Sequence, residues 1–209
     1  MKLGKIHLFL FFILFAMQSR SEILFYGTNS NDLYCLLKAN HISFTSFSSI
    51  DQLMKHVGKG DAVIITSPDY PHKTIQIQPA YYEKFQQLKI KVYMEYPEEI
   101  PNYPIDSTLH RGLLERGVVS SGFFGDELPP MSIFSVNDCH IRMTHNVKDT
   151  LLCYAKVAGF DHAEYGLTNT TVYPLLFRDQ HILIAASCLS NFSTSRFAPQ
   201  KYGARYSIG

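Results

Sequence analysis

Apolar and polar positions along this chain follow two rhythms. Up to residue 97, short apolar runs alternate with amphipathic stretches. "EILFYGT" (22–28) is an apolar run ending at Gly27 and predicts a strand and a turn. "NSNDLYCLLKAN" sets Leu33, Leu36 and Leu37 at helical spacing, with Asn31 or Asp32 as the cap. "ISFTSF" predicts a second strand. "SSIDQLMKHVGKG" predicts a helix that Ser48 or Ser49 caps and Gly58 stops. "DAVIITSP" is a continuous apolar strand, the kind buried on both faces of a parallel sheet. "AYYEKFQQLKIK" is an amphipathic helix and "VYMEYP" the next strand. This β-α-β-α-β-α-β alternation predicts an α/β fold with a doubly wound, mostly parallel sheet and right-handed crossovers.

Beyond residue 97 the rhythm is lost. Residues 98–131 are rich in Pro, Gly and charge and read as an excursion over the surface, with "RGVVSSGFFG" as a short strand and turn inside it. "MSIFSVNDCHI" (131–141) reads as one strand. "LLCYAKVAGF" has a helix-like spread of apolar residues that also fits a strand. "TVYPLLFRDQHILIAAS" reads as a hairpin with its polar turn at Arg178–Gln180. No internal repeat or low-complexity segment interrupts the chain.

The first residues stand apart from this pattern. Lys2 and Lys5 precede the apolar "IHLFLFFILFAM", and Ser19 and Ser21 follow it, the three-part pattern of a secretory signal peptide over 1–21. The apolar run is shorter than the roughly 20 residues of a comfortable membrane span, although an uncleaved anchor is the alternative. The expected location is extracytoplasmic, either periplasmic or secreted. Residues 22–209 suit one domain with its own core. A formal net charge of +1 without a basic stripe gives no reason to expect nucleic acid or an anionic membrane as partner. Cys35, Cys139, Cys153 and Cys188 would pair in one of three ways or stay as buried thiols. Nothing in their spacing suggests zinc, and no cofactor is expected.

Open α/β sheets bind ligands beyond the carboxyl ends of their strands. Here that rule selects Gly27-Thr28-Asn29, Ser67-Pro68-Asp69-Tyr70, Glu95-Tyr96-Pro97, Asn137-Asp138-Cys139-His140 and Ser190-Asn191. In an extended strand Cys139 would face away from Asp138 and His140. That argues against a Cys–His dyad and leaves Asp138 and His140 able to pair. "LSNFSTSRF" offers Asn191 and Arg196, either to a sugar together with Phe192 or as stitches from the strand end to a helix cap. The "NTT" (169–171) and "NFS" (191–193) sequons matter only in a eukaryotic secretory host. With 13 Tyr and no Trp, the crowd at Tyr70, Tyr81, Tyr82, Tyr93, Tyr96 and Tyr103 would suit carbohydrate if exposed, and core if not.

"VYMEYPEEIP", "RGVVSSGFFGDELPPMSIFSVNDCHI", "AKVAGFDHAEYGL", "VYPLLF" and "HILIAASCLSNFSTSRFAP" occur in this order over residues 23–199. Together they resemble the N-terminal domain of secreted glycoside hydrolases from polysaccharide-degrading Gram-negative bacteria. In that family a class I glutamine amidotransferase-like domain, a flavodoxin-like three-layer sandwich, precedes a helical toroid like that of six-hairpin glycosidases. The resemblance implies the same fold here. Glu95 would then stand where amidotransferases carry their nucleophilic Cys, with no flanking Gly, and Pro97 would lack an N–H for an oxyanion hole. Thiol chemistry is therefore not expected. Glu95 would serve as a general base, as an acceptor for sugar hydroxyls, or as a carboxylate bonded to loop N–H groups.

The chain departs from the family pattern by ending at "KYGARYSIG", where the toroid would follow. The expectation is a stand-alone domain, or a truncated or split gene. Its function would be that of a non-catalytic accessory domain, either structural or binding a glycan through Asp69, Tyr70, Glu95, Tyr96, Asn137, Asp138, His140, Asn191 and Arg196. Its partner would be a helical glycosidase domain or a neighbouring-gene product, meeting an exposed apolar face. The alternative is a small carbohydrate hydrolase with Glu95 and Asp138/His140 as acid and base.

Overall fold

The computed structural model describes residues 21–136 and 138–192 and the backbone of 200–201. Residues 1–20 of the expected signal peptide (1–21), Asn137 and Arg196 lie outside the described residues. Twelve strands run in chain order: β1 (Ile23–Tyr26), β2 (Thr45–Phe47), β3 (Ala62–Ile65), β4 (Lys91–Glu95), β5 (His110–Arg111), β6 (Arg116–Val119), β7 (Ile133–Ser135), β8 (His140–Ile141), β9 (Thr150–Ala155), β10 (Val172–Asp179), β11 (Ile182–Ala185) and β12 (Gln200–Lys201). Among the described residues three α-helices, α1 (Asp32–Ala39), α2 (Ile50–His56) and α3 (Pro79–Gln87), lie between the first four strands.

Ten strands share one sheet in the order β12-β7-β6-β9-β10-β11-β4-β3-β1-β2, and β5 and β8 form a second, two-stranded sheet. The large sheet has two halves. From β2 through β1, β3 and β4 to β11 every pairing is parallel. From β11 through β10, β9, β6 and β7 to β12 every pairing is antiparallel. The fold is α/β, as expected, and its sheet is mixed: one half is parallel as the sequence pattern predicts, and the other is antiparallel. The β10–β11 hairpin joins the halves, because β11 is antiparallel to β10 and parallel to β4.

The parallel half follows from its local sequence. Asn31 caps α1 by accepting the Leu33 and Tyr34 N–H groups, and Ser49 caps α2 through the Gln52 N–H. Pro79 opens α3, where its missing N–H costs nothing. Successive residues of β1 point to opposite faces. Leu24 joins the core that Leu53 and Met54 of α2 and Tyr82 and Phe85 of α3 complete. Phe25 turns the other way, its ring 5.4 Å from Tyr34 of α1. Helices thus cover both faces. Each fully buried Leu, Ile or Phe contributes about 1.5–3 kcal/mol.

The C-terminal half departs from its sequence pattern in two places. Of the two readings of "LLCYAKVAGF" the strand holds, over its first five residues only: β9 sits inside the sheet between β6 and β10, and Leu151 through Ala155 are all buried. Burial on both faces erases the period-two signal and leaves a plain apolar run. "MSIFSVNDCHI" is not one strand. It breaks after Ser135 and resumes at His140, with Asp138 in the left-handed region at φ 64°. A short polar side chain tolerates that conformation better than most.

Candidate functional site

The carboxyl ends of β1, β3, β4 and β11 lie side by side, and Glu95 stands among them. Its side chain is fully buried. Oε1 accepts the Tyr93 hydroxyl at 2.6 Å and the backbone N–H groups of Leu189 at 2.7 Å and Ser190 at 2.6 Å. Oε2 accepts the Ser190 hydroxyl at 2.7 Å, the Ser67 N–H at 3.4 Å and the Cys188 thiol at 3.6 Å. None of these donors is Asp138 or His140. Burial pushes the Glu95 carboxyl up from its ordinary range, and the bonds from Tyr93, Ser190 and Leu189 oppose that shift. Tyr93 is itself held well above its usual range by burial and by Glu95. A carboxylate occupied on both oxygens has no lone pair for a substrate proton. Its chemistry is to tie β4 to the loop after β11 and to the end of β3.

That tie extends to the first helix. The Asn31 amide donates to Ser190 Oγ at 2.7 Å and to Asn191 Oδ1 at 3.0 Å, while its carbonyl caps α1. Asn191 Oδ1 also accepts the Asp32 N–H, and the Leu33 N–H donates to the Ser190 carbonyl. Asn191 therefore stitches the strand end to the cap of α1. Gly27 closes the same rim: a Cβ there would lie 2.0 Å from Thr66 Oγ1, so only glycine lets the end of β1 approach β3 so closely.

A second cluster forms around Tyr70. Its hydroxyl accepts the His140 N–H at 2.6 Å, donates toward the His140 carbonyl at 3.2 Å and lies 3.1 Å from Ser187 Oγ. Its ring meets the buried Tyr96 edge-on, 4.9 Å between centroids. Burial pushes the Cys139 thiol up to about 12, and it also raises Cys188. Both thiols stay protonated at neutral pH and are poor nucleophiles. All four cysteines are free; Cys35 is exposed and the other three are buried. The turn at Asp138 sends its carboxylate to Arg111, with Nε at 3.1 Å. His140 is half-buried, and its imidazole is held below the usual range by burial, then by Arg111 and His72.

Asp69 is placed differently. It is exposed and lines a cavity of about 290 Å³ between the end of β1 at Tyr26, the start of α2 at Ile50 and the loop after β3, with Pro68, Lys73 and Ile75. Of the nine residues selected from sequence, Glu95, Tyr70, Tyr96 and Asn191 are engaged by the fold, Asp69 opens on this cavity, Asp138 and His140 stand near Arg111, and Asn137 and Arg196 are not described. The tyrosine crowd makes no exposed platform, since Tyr82 and Tyr96 are buried and Tyr70, Tyr81, Tyr93 and Tyr103 are half-buried. From sequence, Asn31 is visible only as a helix cap and Tyr93 only as one of a crowd of tyrosines, neither as a site residue, and Ser187 is not singled out at all. Their signal was weak: a helix cap, a residue two before a strand-end Glu, and a serine closing an apolar strand.

Among the described residues no group of three or more His, Cys, Asp or Glu is placed to hold a metal ion, and no helix is long and apolar enough to cross a membrane. Comparison with protein-family models, curated proteins and solved structures finds no match in any of the three.

Proposed function

We propose that this chain is a secreted, non-catalytic accessory domain of a glycoside-hydrolase system. In this reading its fold is related to class I glutamine amidotransferases, and the nucleophile elbow has become a structural latch. The saturation of Glu95 carries the reading: the side chain at the elbow accepts six donors from its own fold. The strand order β2-β1-β3-β4-β11 supports the same relationship, being the 2-1-3-4-5 order of flavodoxin-like sheets. A saccharide at the strand-end rim would enter beside Asp69, at the cavity between the end of β1 and the loop after β3. Leu113 and Leu114, 64% and 63% exposed, provide the apolar surface expected of a domain that docks onto a larger partner.

The hydrolase alternative needs Glu95 as acid or base, and the donors around Glu95 give it no support. The test uses the full chain with cello-, xylo-, malto- and chito-oligosaccharides. Reducing-end release and thermal melts are followed for wild type and Glu95→Gln. The expected outcome is no turnover by either protein and a lower melting temperature for the variant. Turnover by wild type that disappears in a folded Glu95→Gln protein would sink the proposal.

A further inference from the structure

The antiparallel half carries a groove that the strand-end reading does not use. Its volume is about 490 Å³, within the range of small-ligand sites. One wall comes from the segment around the small β5–β8 sheet, with Asp106 and His110. The other comes from the large sheet, with Glu115 ahead of β6, Tyr154 and Lys156 on and after β9, and Tyr173 on β10. The loop bearing Asn169 closes one side.

Its carboxylates are held differently from Glu95. Glu115 accepts the Tyr154 hydroxyl at 2.9 Å and the N–H groups of Leu113 and Leu114, and all three bonds land on Oε2. Asp106 meets His145 Nε2 through Oδ1 at 2.8 Å. Each carboxylate is fixed through one oxygen, and Oε1 and Oδ2 take no part in those bonds. The rings are fixed as well: His110 packs edge-on against Tyr154 at 5.4 Å, and His145 against Tyr173 at 5.8 Å.

We infer that this groove binds an uncharged, hydroxyl-rich ligand of the saccharide class, at a site separate from the strand-end rim. A sugar hydroxyl both donates and accepts. The groove offers acceptors in Asp106 and Glu115, donors in Lys156 and the Asn169 amide, hydroxyls that do both in Thr108 and Thr171, and an acceptor in Thr170, whose hydroxyl donates to the Lys156 carbonyl. Two carboxylates beside one lysine leave too little net charge for an ionic ligand to be the best fit. Tyr173, half-buried, supplies ring surface for the apolar C–H face of a sugar, while Tyr154 is buried and acts only by holding Glu115.

The test measures binding of the same four oligosaccharide classes to the full chain by calorimetry. Asp106→Ala and Lys156→Ala change exposed residues and should leave the fold intact, and Glu115→Gln removes the fixed charge. Asp69→Ala and Lys73→Ala serve as rim controls. The expected result is binding of at least one class, weakened about tenfold or more by each groove variant and unchanged in the rim controls. Binding lost in the rim controls and kept in the groove variants overturns this inference and leaves the rim reading standing. Absence of any binding also overturns it, without touching the non-catalytic reading, which rests on Glu95. A melt raised by calcium chloride or by free arginine, but by no oligosaccharide, overturns the ligand class.

Discussion

In the parallel half the strand ends converge on Glu95 and occupy both of its oxygens. In the antiparallel half Tyr154 and two backbone N–H groups grip Glu115 by one oxygen, and Glu115 lines a groove. The two glutamates are alike in chemistry and opposite in circumstance. Glu95 receives its donors from elements far apart in sequence, so it works as a fastener. Glu115 receives its donors from its own turn and one neighbouring strand, so it is positioned without being used up. Polar groups at a strand end are thus not sufficient to mark a binding site; the free acceptor capacity that remains separates the two cases.

The largest effect that tests this contrast is on stability. Glu95→Ala strands the backbone N–H groups of Ser67, Leu189 and Ser190 and the Tyr93 and Ser190 hydroxyls, and is expected to cost about 4 kcal/mol in urea unfolding. Glu115→Ala, at a half-exposed site, is expected to cost about 1 kcal/mol or less. Equal losses would break the comparison. Next in size is Asn31→Ala, which removes the α1 cap and both links to the 190–191 loop. The expected loss is about 2 kcal/mol, and a loss no larger than that of an ordinary exposed cap would mean that the loop does not depend on the helix.

The smallest effect is the pH dependence, and its sign differs between the two sites. Burial raises the folded-state pKa of Glu95. Its contribution is therefore fully present below the unfolded carboxyl value of about 4.3 and is lost as pH rises through the folded value. For Glu115, burial pushes the carboxyl up, but the Tyr154 hydroxyl and the backbone N–H groups outweigh it and hold the pKa low. Its contribution is present above about 4.3 and is lost as pH falls through the folded value. Unfolding of wild type, Glu95→Gln and Glu115→Gln across acid to neutral pH should show the wild-type advantage growing toward acid for the first variant and shrinking for the second. The same slope for both would remove the distinction.

The parallel half was legible because its signals are local. Apolar runs in "DAVIITSP" and "VYMEYP", with caps at Asn31 and Ser49, fix strand and helix within a few residues of themselves. The antiparallel half was less so. The run in β9 is apolar throughout because neighbours cover both faces, and the break at Asp138 depends on one left-handed residue in an otherwise strand-like stretch. At the site, loop N–H groups were among the partners considered for Glu95, but which loop could not be read, since Leu189 and Ser190 reach it only through the pairing of β11 with β4. The groove left no trace in the sequence. Asp106, Glu115, Tyr154, Lys156, Asn169 and Tyr173 share no spacing, and Tyr154 and Tyr173 lie outside the tyrosine crowd that draws the eye.

The position of β11 has a consequence for how the protein is made. The strand beside β4 comes late in the chain, and the Leu189 N–H that Glu95 accepts lies 94 residues beyond it. During synthesis the first four strands and three helices leave the ribosome with one flank of β4 uncovered and Glu95 still hydrated. The antiparallel strands β6, β7, β9 and β10 must follow before β11 can slot in beside β4. Closure of the sheet is therefore a late, long-range event, of the kind that slows folding and keeps an apolar strand edge open to other chains. A nascent chain halted before Leu189 would hold most of its strands and lack the donors that allow its central carboxylate to be buried.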